Sequence, residues 1–514
     1  MMKRALVGVY DKREIIEFCR GLNNLGFEII ATSGTAELLR KNKIPVKEVS
    51  EVTGFPEILD GRVKTLHPKI LGGILALRQK KHLDELKKHG ITPIDMVICN
   101  MYPFKEIISK KDVELKEALE NIDIGGVTMI RAAAKNFENV VVVVNPDRYD
   151  EILNILKTKK DVDRETRSKL AIEAFNETAK YDFIIQKYLT SLIKPREEFP
   201  ELLDFQYNKI KNLRYGENPH QKAALYSDLI PLDEPSIVNA KQIAGKDLSW
   251  TNILDLDTAL EMIKEFKEPF VIILKHMSPC GASCGKDILD AYVKAYEADS
   301  LSAFGGVVGL NRKIDLETAK KMAEAHFDCI IATGFDEDAV KLLSERKALR
   351  LLKTGDLNNT HSKPHFDIAS ILGGVMLQEH YKFSGEDNFK VVTKNKPTKE
   401  QFDSLLFAWK IVRYVKSNAI ILVKDKTVVG IGVGQTSRVD SAKTAINKAC
   451  EKAKGSLMAS DGFFPFRDSI DNVAKAGITA IIQPGGSVND SEIIKAANEY
   501  NIPMIFTGIR CFRH

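Results

Sequence analysis

Lys275 and His276 put an ammonium beside an imidazole at the end of an apolar run, Val271 to Leu274, that reads as a buried strand. Neighbouring strand residues point to opposite faces, so the two side chains serve one site only if the chain bends there. Ser278-Pro279 predicts that bend, because proline donates nothing to a sheet ladder and disfavours helix just before it. An adjacent ammonium lowers an imidazole's pKa, which would keep His276 neutral and able to accept a proton near pH 7. A partly exposed Lys-His pair without a role is the bland alternative for this fragment alone.

The first third of the chain offers four more polar clusters. Thr32-Ser33-Gly34-Thr35 follows a predicted strand, Phe27 to Ala31, and opens a helix, so its backbone amides face an anion, although Ser and Thr also cap helices without one. Gly61-Arg62-Val63-Lys64-Thr65-Leu66-His67-Pro68 gathers three potential cations and a hydroxyl within six residues, suited to a phosphate or a developing oxyanion. Asn100 and Tyr102 sit where Pro103 ends the strand Asp95 to Cys99, at the end of a sheet where ligands bind. Asp123 precedes Gly125 and Gly126, which permit close backbone approach at the start of a predicted helix, Met129 to Lys135.

The elements that must position these groups alternate. Strands Ala5 to Val9, Phe27 to Ala31, Asp95 to Cys99 and Val140 to Val144 are separated by helices, the first running Lys12 to Leu25, which predicts an α/β domain with a mostly parallel, doubly wound sheet. A long helix, Thr166 to Ser191, leads to Lys194-Pro-Arg-Glu-Glu-Phe-Pro200, the best linker candidate. The predicted domains are therefore 1–195 and 196–514. Beyond the linker, Arg214-Tyr215 can clamp an anion and stack on a flat ring, and Gly245 to Asn252 is similarly polar ahead of a helix, Ile253 to Phe266. The second domain reads as a repeat, about 200–375 and 376–514. Each copy gives strand, loop, helix (Asp287 to Glu297; Ser441 to Ala453), a Phe-containing loop, helix and strand. Between them the apolar stripe of Thr398 to Tyr414 reads as core.

Composition narrows the classes. The 514 residues are 44% hydrophobic and 28% charged, too many for one core and ordinary for a soluble protein. A net charge of +5 is too mild and dispersed to argue for nucleic acid, and local basic groups facing small anions explain it. No apolar run reaches bilayer length and the first is too short for a secretory signal, so neither a membrane nor export is expected. Seven scattered cysteines suit reduced thiols in a cytoplasm. Pro279-Cys280-Gly-Ala-Ser-Cys284 near His276 suggests a zinc nucleobase deaminase. The spacing is one residue too long, and no His-x-Glu supplies the remaining ligand and general acid/base, so no zinc is expected.

In order, Gly61 to Pro68, Asn100-Met-Tyr-Pro-Phe104 and Ile122 to Thr128 leading into Arg131-Ala-Ala-Ala-Lys135-Asn136 resemble the inosine monophosphate (IMP) cyclohydrolase domain of a bifunctional purine-biosynthesis family. Leu213 to Gln221, Leu274-Lys-His-x-x-Pro-Cys-Gly281, Ser302 to Gly306, Lys416 to Ile420, Gly432 to Arg438, Asp461 to Asp468 and Thr507 to His514 resemble its aminoimidazole carboxamide ribonucleotide (AICAR) formyltransferase domain. The resemblance implies a methylglyoxal-synthase-like first domain and a second built from tandem cytidine-deaminase-like units without zinc. It implies that Lys64, Tyr102, Asp123 and Lys135 surround the ring-closing atoms, while Lys12, Thr32, Ser33, Gly34, Thr35, Arg62 and Thr65 hold phosphate and ribose. In the second domain Lys275 and His276 become the catalytic pair. Arg214, Tyr215, Asn252, Phe304, Asn418, Arg438, Phe463, Asp468, Arg510 and Phe512 would line nucleotide and folate sites. The implied substrates are AICAR, formyl-AICAR and 10-formyltetrahydrofolate, and the implied assembly is a homodimer. This sequence carries Gly8 and Tyr10 where the family often has small hydroxyl residues, and Cys511 where it commonly has histidine. A non-catalytic purine-nucleotide sensor remains the other class beside the zinc deaminase.

Overall fold

The computed structural model describes residues 2–110, 112–193, 199–229, 234–358, 366–381 and 385–514; most of the predicted linker lies outside them. The chain forms two compact units, Met1–Tyr207 and Asn208–His514.

In the first unit β1 (Arg4–Val9), β2 (Glu28–Ala31), β3 (Lys47–Glu48), β4 (Met96–Asn100) and β5 (Val141–Val143) form a parallel sheet in the order β3-β2-β1-β4-β5. Its apolar runs are buried because helices cover a parallel sheet. The order reverses between β1 and β4, and such a switch point leaves a crevice at the strands' carboxyl ends. Two helix starts differ from the sequence reading. The first helix spans Ile15–Asn24, which leaves Lys12 in the loop after β1. The Gly-Gly helix spans Gly125–Lys135, so both glycines lie inside its first turn.

The second unit opens with a two-stranded sheet, β6 (Tyr207–Asn212) and β7 (Ala224–Asp228). Its main sheet uses β8 (Lys241–Ala244), β9 (Phe270–Lys275), β10 (Ser278–Cys284), β11 (Gly306–Leu310), β12 (Phe327–Ala332) and β13 (Arg350–Lys353). A separate hairpin, β14 (Phe366–Ile371) with β15 (Gly374–Glu379), comes next. The main sheet then continues with β16 (Lys390–Val391), β17 (Ile420–Lys424), β18 (Thr427–Gly432), β19 (Leu457–Ser460), β20 (Ala480–Gln483) and β21 (Met504–Phe506).

The twelve strands run β16-β21-β20-β19-β17-β18-β10-β9-β11-β12-β13-β8. Read outward from the central β18/β10 pair, the two halves have the same order and the same pattern of parallel and antiparallel neighbours. Both faces are covered, so alternate residues of β9 enter different cores: Phe270, Ile272 and Leu274 one, Val271 and Ile273 the other. The first core is shared by the helices Trp250–Lys264 and Lys399–Val412. Glycine permits close seats on the opposite face. A Cβ on Gly281 would stand 1.9 Å from Ala295 O, and one on Gly430 2.2 Å from Ala445 O.

One sequence expectation fails here. Pro279 does not end the strand; β10 restarts at Ser278, with Pro279 opposite Leu274. The bend is a two-residue hairpin turn made by His276 (φ 55°) and Met277 (φ 58°). Two left-handed residues match the twist of a hairpin, and the proline is accommodated at the irregularity between Pro279 and Gly281.

Candidate active sites

In the first unit the crevice between β1 and β4 is laced by Asn100. Its Oδ1 accepts the amides of Tyr10 (2.6 Å) and Asp11 (2.8 Å), and its Nδ2 donates to Asp11 O (3.3 Å). That turn brings Lys12 inward, where its Nζ donates to Val9 O and to Thr35 Oγ1 (2.7 Å). Burial and the neighbouring Lys64 ammonium hold Lys12 below the usual lysine range. Lys64 also lies 3.6 Å from Glu57, whose other oxygen accepts Ser33 Oγ at 2.6 Å.

Asp123 completes this cluster. Its Oδ1 accepts the Gly126 amide at 2.7 Å, and its own amide donates to Tyr181 Oη at 2.8 Å. Burial raises the Asp123 carboxyl, while the amides of Gly126 and Tyr102 and the charge of Lys64 pull it back down. Both glycines are needed: a Cβ on Gly126 would lie 2.4 Å from Asp123 Oδ2, and one on Gly125 2.7 Å from Thr65 Oγ1. Tyr102 is partly exposed, with its ring 5.5 Å from that of Tyr10. Two ammoniums, a carboxyl raised by burial, a phenol and helix-start amides can bind an anion and move protons beside it.

Other expected members stand apart. Arg62 is an exposed partner of Glu120. Thr32 caps the helix Ser33–Lys41 with no side-chain cap bond, and Gly34 borders open space. Lys135 ends the helix that Gly125 begins, so ten residues of ~1.5 Å rise put its backbone about 15 Å along the axis from Gly125. Glu57 and Tyr181 were missed in the sequence, where nothing distinguishes them from surface and helix residues.

In the second unit Lys275 Nζ donates to Phe304 O at 2.8 Å, and the exposed Phe304 ring stacks on His326 at 4.9 Å. Beneath the turn lies Asp255, whose Oδ1 accepts the Met277 amide at 2.5 Å. Burial raises its carboxyl, against the amides of Met277 and His276 and the charge of His276. Asn252, one turn earlier, is spent in a capping box with Ser249.

A second network centres on Asp461, which is fully buried. It accepts from Arg438 Nη1 on one oxygen and from Ser417 Oγ on the other at 2.5 Å. Arg438 also reaches Ser460 Oγ (2.9 Å) and Asn418 Oδ1 (2.7 Å). Asn418 Nδ2 donates to Gln435 O and Thr436 O, so Arg438 orients Asn418 rather than facing solvent itself. The Phe512 ring lies 4.4 Å from the Arg510 guanidinium and 5.8 Å from that of Arg438. Phe463 is partly exposed beside Gly462, and Asp468 is exposed at a helix start. Arg214 stacks on Tyr215 at 5.1 Å, in the loop between β6 and β7.

These two networks share one edge. β10 and β18 are antiparallel with Ser283 opposite Thr427, so the start of β10 and the end of β18 lie together. Hence the Lys275-His276 turn and the loop from Val433 to Ser437 emerge on the same side. Cys280 and Cys284 lie on opposite faces of β10, one in each core, where burial pushes their thiols up to about 11 and about 12. Among the described residues no group of three His, Cys, Asp or Glu side chains is placed to hold a metal ion. No described helix is long and apolar enough to cross a membrane.

Residues 133–448 match the family described as AICARFT/IMPCHase bienzyme, and residues 14–128 match the MGS-like domain. Over 516 aligned residues covering all of both chains, this chain is 50% identical to "Bifunctional purine biosynthesis protein PurH" of Thermoanaerobacter sp. (strain X514). It is 49% identical to the protein of that name from Caldicellulosiruptor saccharolyticus and 50% identical to that from Bacillus thuringiensis subsp. konkukian, again over the full length of each. With its motifs in family order, its MGS-like sheet and identity of this extent, the chain belongs to the AICARFT/IMPCHase bienzyme family.

Proposed function

We propose that the two reactions of this bifunctional AICAR formyltransferase and IMP cyclohydrolase are divided between its two units. The observation that carries the division is that each unit holds its own polar cluster, around Lys64 and Asp123 in one and around Lys275 and His276 in the other.

In the second unit, 10-formyltetrahydrofolate donates the formyl group. The 5-amino nitrogen of AICAR attacks the formyl carbon, and the new C–N bond forms as His276 takes the amine proton. That amine is conjugated to a carboxamide and is a poor nucleophile, so both proton removal and oxyanion stabilisation are needed. Lys275 supplies charge at the oxyanion. The bond to the folate nitrogen then breaks, and that nitrogen receives the proton. Asn418, held by Arg438, and the aromatic faces of Phe304, Phe463 and Phe512 line the substrates, with Arg214, Tyr215, Asn252, Asp468 and Arg510 as further binding residues.

In the first unit the carboxamide nitrogen of formyl-AICAR attacks the formyl carbon and water leaves. Lys64, Tyr102 and Asp123 share proton transfer and oxyanion stabilisation with the Gly125 amide, while the Gly126 amide holds the Asp123 carboxylate. Lys12, Thr35, Thr65 and the amides of Ser33 and Gly34 hold the phosphate and ribose. The formyltransferase half is read as two cytidine-deaminase-like units that work without zinc; the thiols on opposite faces of β10 support this. The proposed assembly is a homodimer, in a cytoplasm that keeps the thiols reduced.

The test supplies AICAR and 10-formyltetrahydrofolate and follows formyl transfer and IMP separately. Lys275→Ala should lose formyl transfer by roughly 10²–10³-fold and still cyclise supplied formyl-AICAR. Lys64→Ala should show the reverse, and parallel loss of both activities in either variant would refute the division.

A further inference from the structure

Asp255 has no part in the chemistry described above, yet it sits directly beneath the turn that carries it. The residue is 8% exposed, and its Oδ1 receives the Met277 amide at 2.5 Å. Burying a carboxylate is costly, and here the cost falls on a turn of two non-glycine residues with positive φ. The second half of the sheet supplies an internal control. Asp425 (φ 50°) and Lys426 (φ 53°) form the same turn between β17 and β18, with Lys424 opposite Thr427 as Lys275 is opposite Ser278. Among the described residues no side-chain oxygen meets the Asp425 or Lys426 amide. Such a turn therefore forms without a carboxylate beneath it, and the acid has been placed under the copy that bears Lys275 and His276.

We infer that Asp255 is a positioning residue for formyl transfer: it fixes the His276-Met277 backbone and sets a negative charge beside the His276 imidazole. This rests on the reading of Lys275-His276 as the formyl-transfer pair. A fixed carboxylate favours imidazolium, the form His276 takes on accepting the amine proton, and it opposes the Lys275 ammonium next door. Among the described residues, the other titratable groups around Asp255 are Asp328, Cys280 and Cys329, and burial raises the two thiols.

The test uses the full chain and the initial rate of tetrahydrofolate release across pH. Asp255→Asn keeps an oxygen for the Met277 amide and removes the charge; Asp255→Ala removes both. Asp255→Asn should lower kcat by roughly 10–100-fold, the range for partners that orient a reacting group, with the AICAR KM within a few-fold. The acid limb of its profile should move to lower pH, because a base without its carboxylate partner deprotonates sooner. Asp255→Ala should be slower still, and Met277→Gly added to it should recover part of that extra loss by relieving the left-handed turn. Rates within threefold of the parent, or a fall with an unmoved acid limb, would overturn the inference. His276→Ala, measured in parallel, separates the failures. If it retains formyl transfer, the site reading falls; if it is inactive while both Asp255 variants are normal, only the role of Asp255 falls.

Discussion

Replacing Arg438 by methionine should unfold the second unit far more easily than the loss of one cation from a surface would. Its side chain is 6% exposed and its partner Asp461 is fully buried, so the variant strands a carboxylate whose one remaining side-chain donor among the described residues is Ser417. Breaking a buried pair from one side costs about 3–5 kcal/mol, whereas replacing both members by apolar groups is often near neutral. Arg438→Met and Asp461→Leu should therefore each cost about 3–5 kcal/mol, and the double variant less than either. The chain's two tryptophans, Trp250 and Trp409, both belong to the second unit, so tryptophan fluorescence in urea reports that unit's transition. A single-variant cost under about 1 kcal/mol, or a double-variant cost equal to the sum of the singles, would show that the pair is not coupled as the geometry requires.

Removing Lys64 should raise two titrations at once. Its charge opposes the burial that lifts Asp123 and adds to the burial that depresses Lys12, so in Lys64→Met both groups should titrate at higher pH. Side-chain NMR titration checks this, and a fall in either value contradicts it. Gly430→Ala should destabilise the tryptophan-reported unit by about 1–3 kcal/mol, because a Cβ meets a helix carbonyl rather than a pliable side chain; an unshifted transition would refute that seat. Protein purified without chelator should hold far less than one zinc per chain, and active enzyme retaining near-stoichiometric zinc would sink the metal-free proposal.

The parallel sheet of the first unit was legible because its strands are short apolar runs punctuated by turn residues, as at Val97 to Asn100. Lys275-His276 was legible as a pair, but its geometry was not. The usual sign of a two-residue hairpin is Asn-Gly or Asp-Gly, and His276-Met277 carries neither, so the proline drew attention as a strand breaker. Asp255 escaped notice because an acid in an amphipathic helix reads as surface, and the burial of Asp461, noted only as part of a motif, likewise comes from long-range packing. Lys135 shows the opposite limit. The resemblance put it with Asp123 around the ring-closing atoms, and ten residues of helix separate its backbone from Gly125.

The seam between the halves of the large sheet restricts how the second unit can move. Ser283 Oγ and Thr427 Oγ1 lie 2.8 Å apart across it, Lys426 reaches Glu268 at 2.9 Å, and Lys448 reaches Asp299 at 3.0 Å. Between Pro279, Cys280, Val429, Gly430 and Ile431 only about 10 Å³ is left open, about the room of one water. On the covered face Lys410, Arg413 and Tyr414 all bind Glu265. Clamshell closure of one half on the other would have to tear this packing, which leaves motion to the rim: the backbone around Phe304, the Gly434 loop and the Phe463–Phe466 stretch. If the proposed formyl-transfer site is right, kinetic effects of rim substitutions should then appear as changes in substrate entry and product release, with the sheet beneath unmoved.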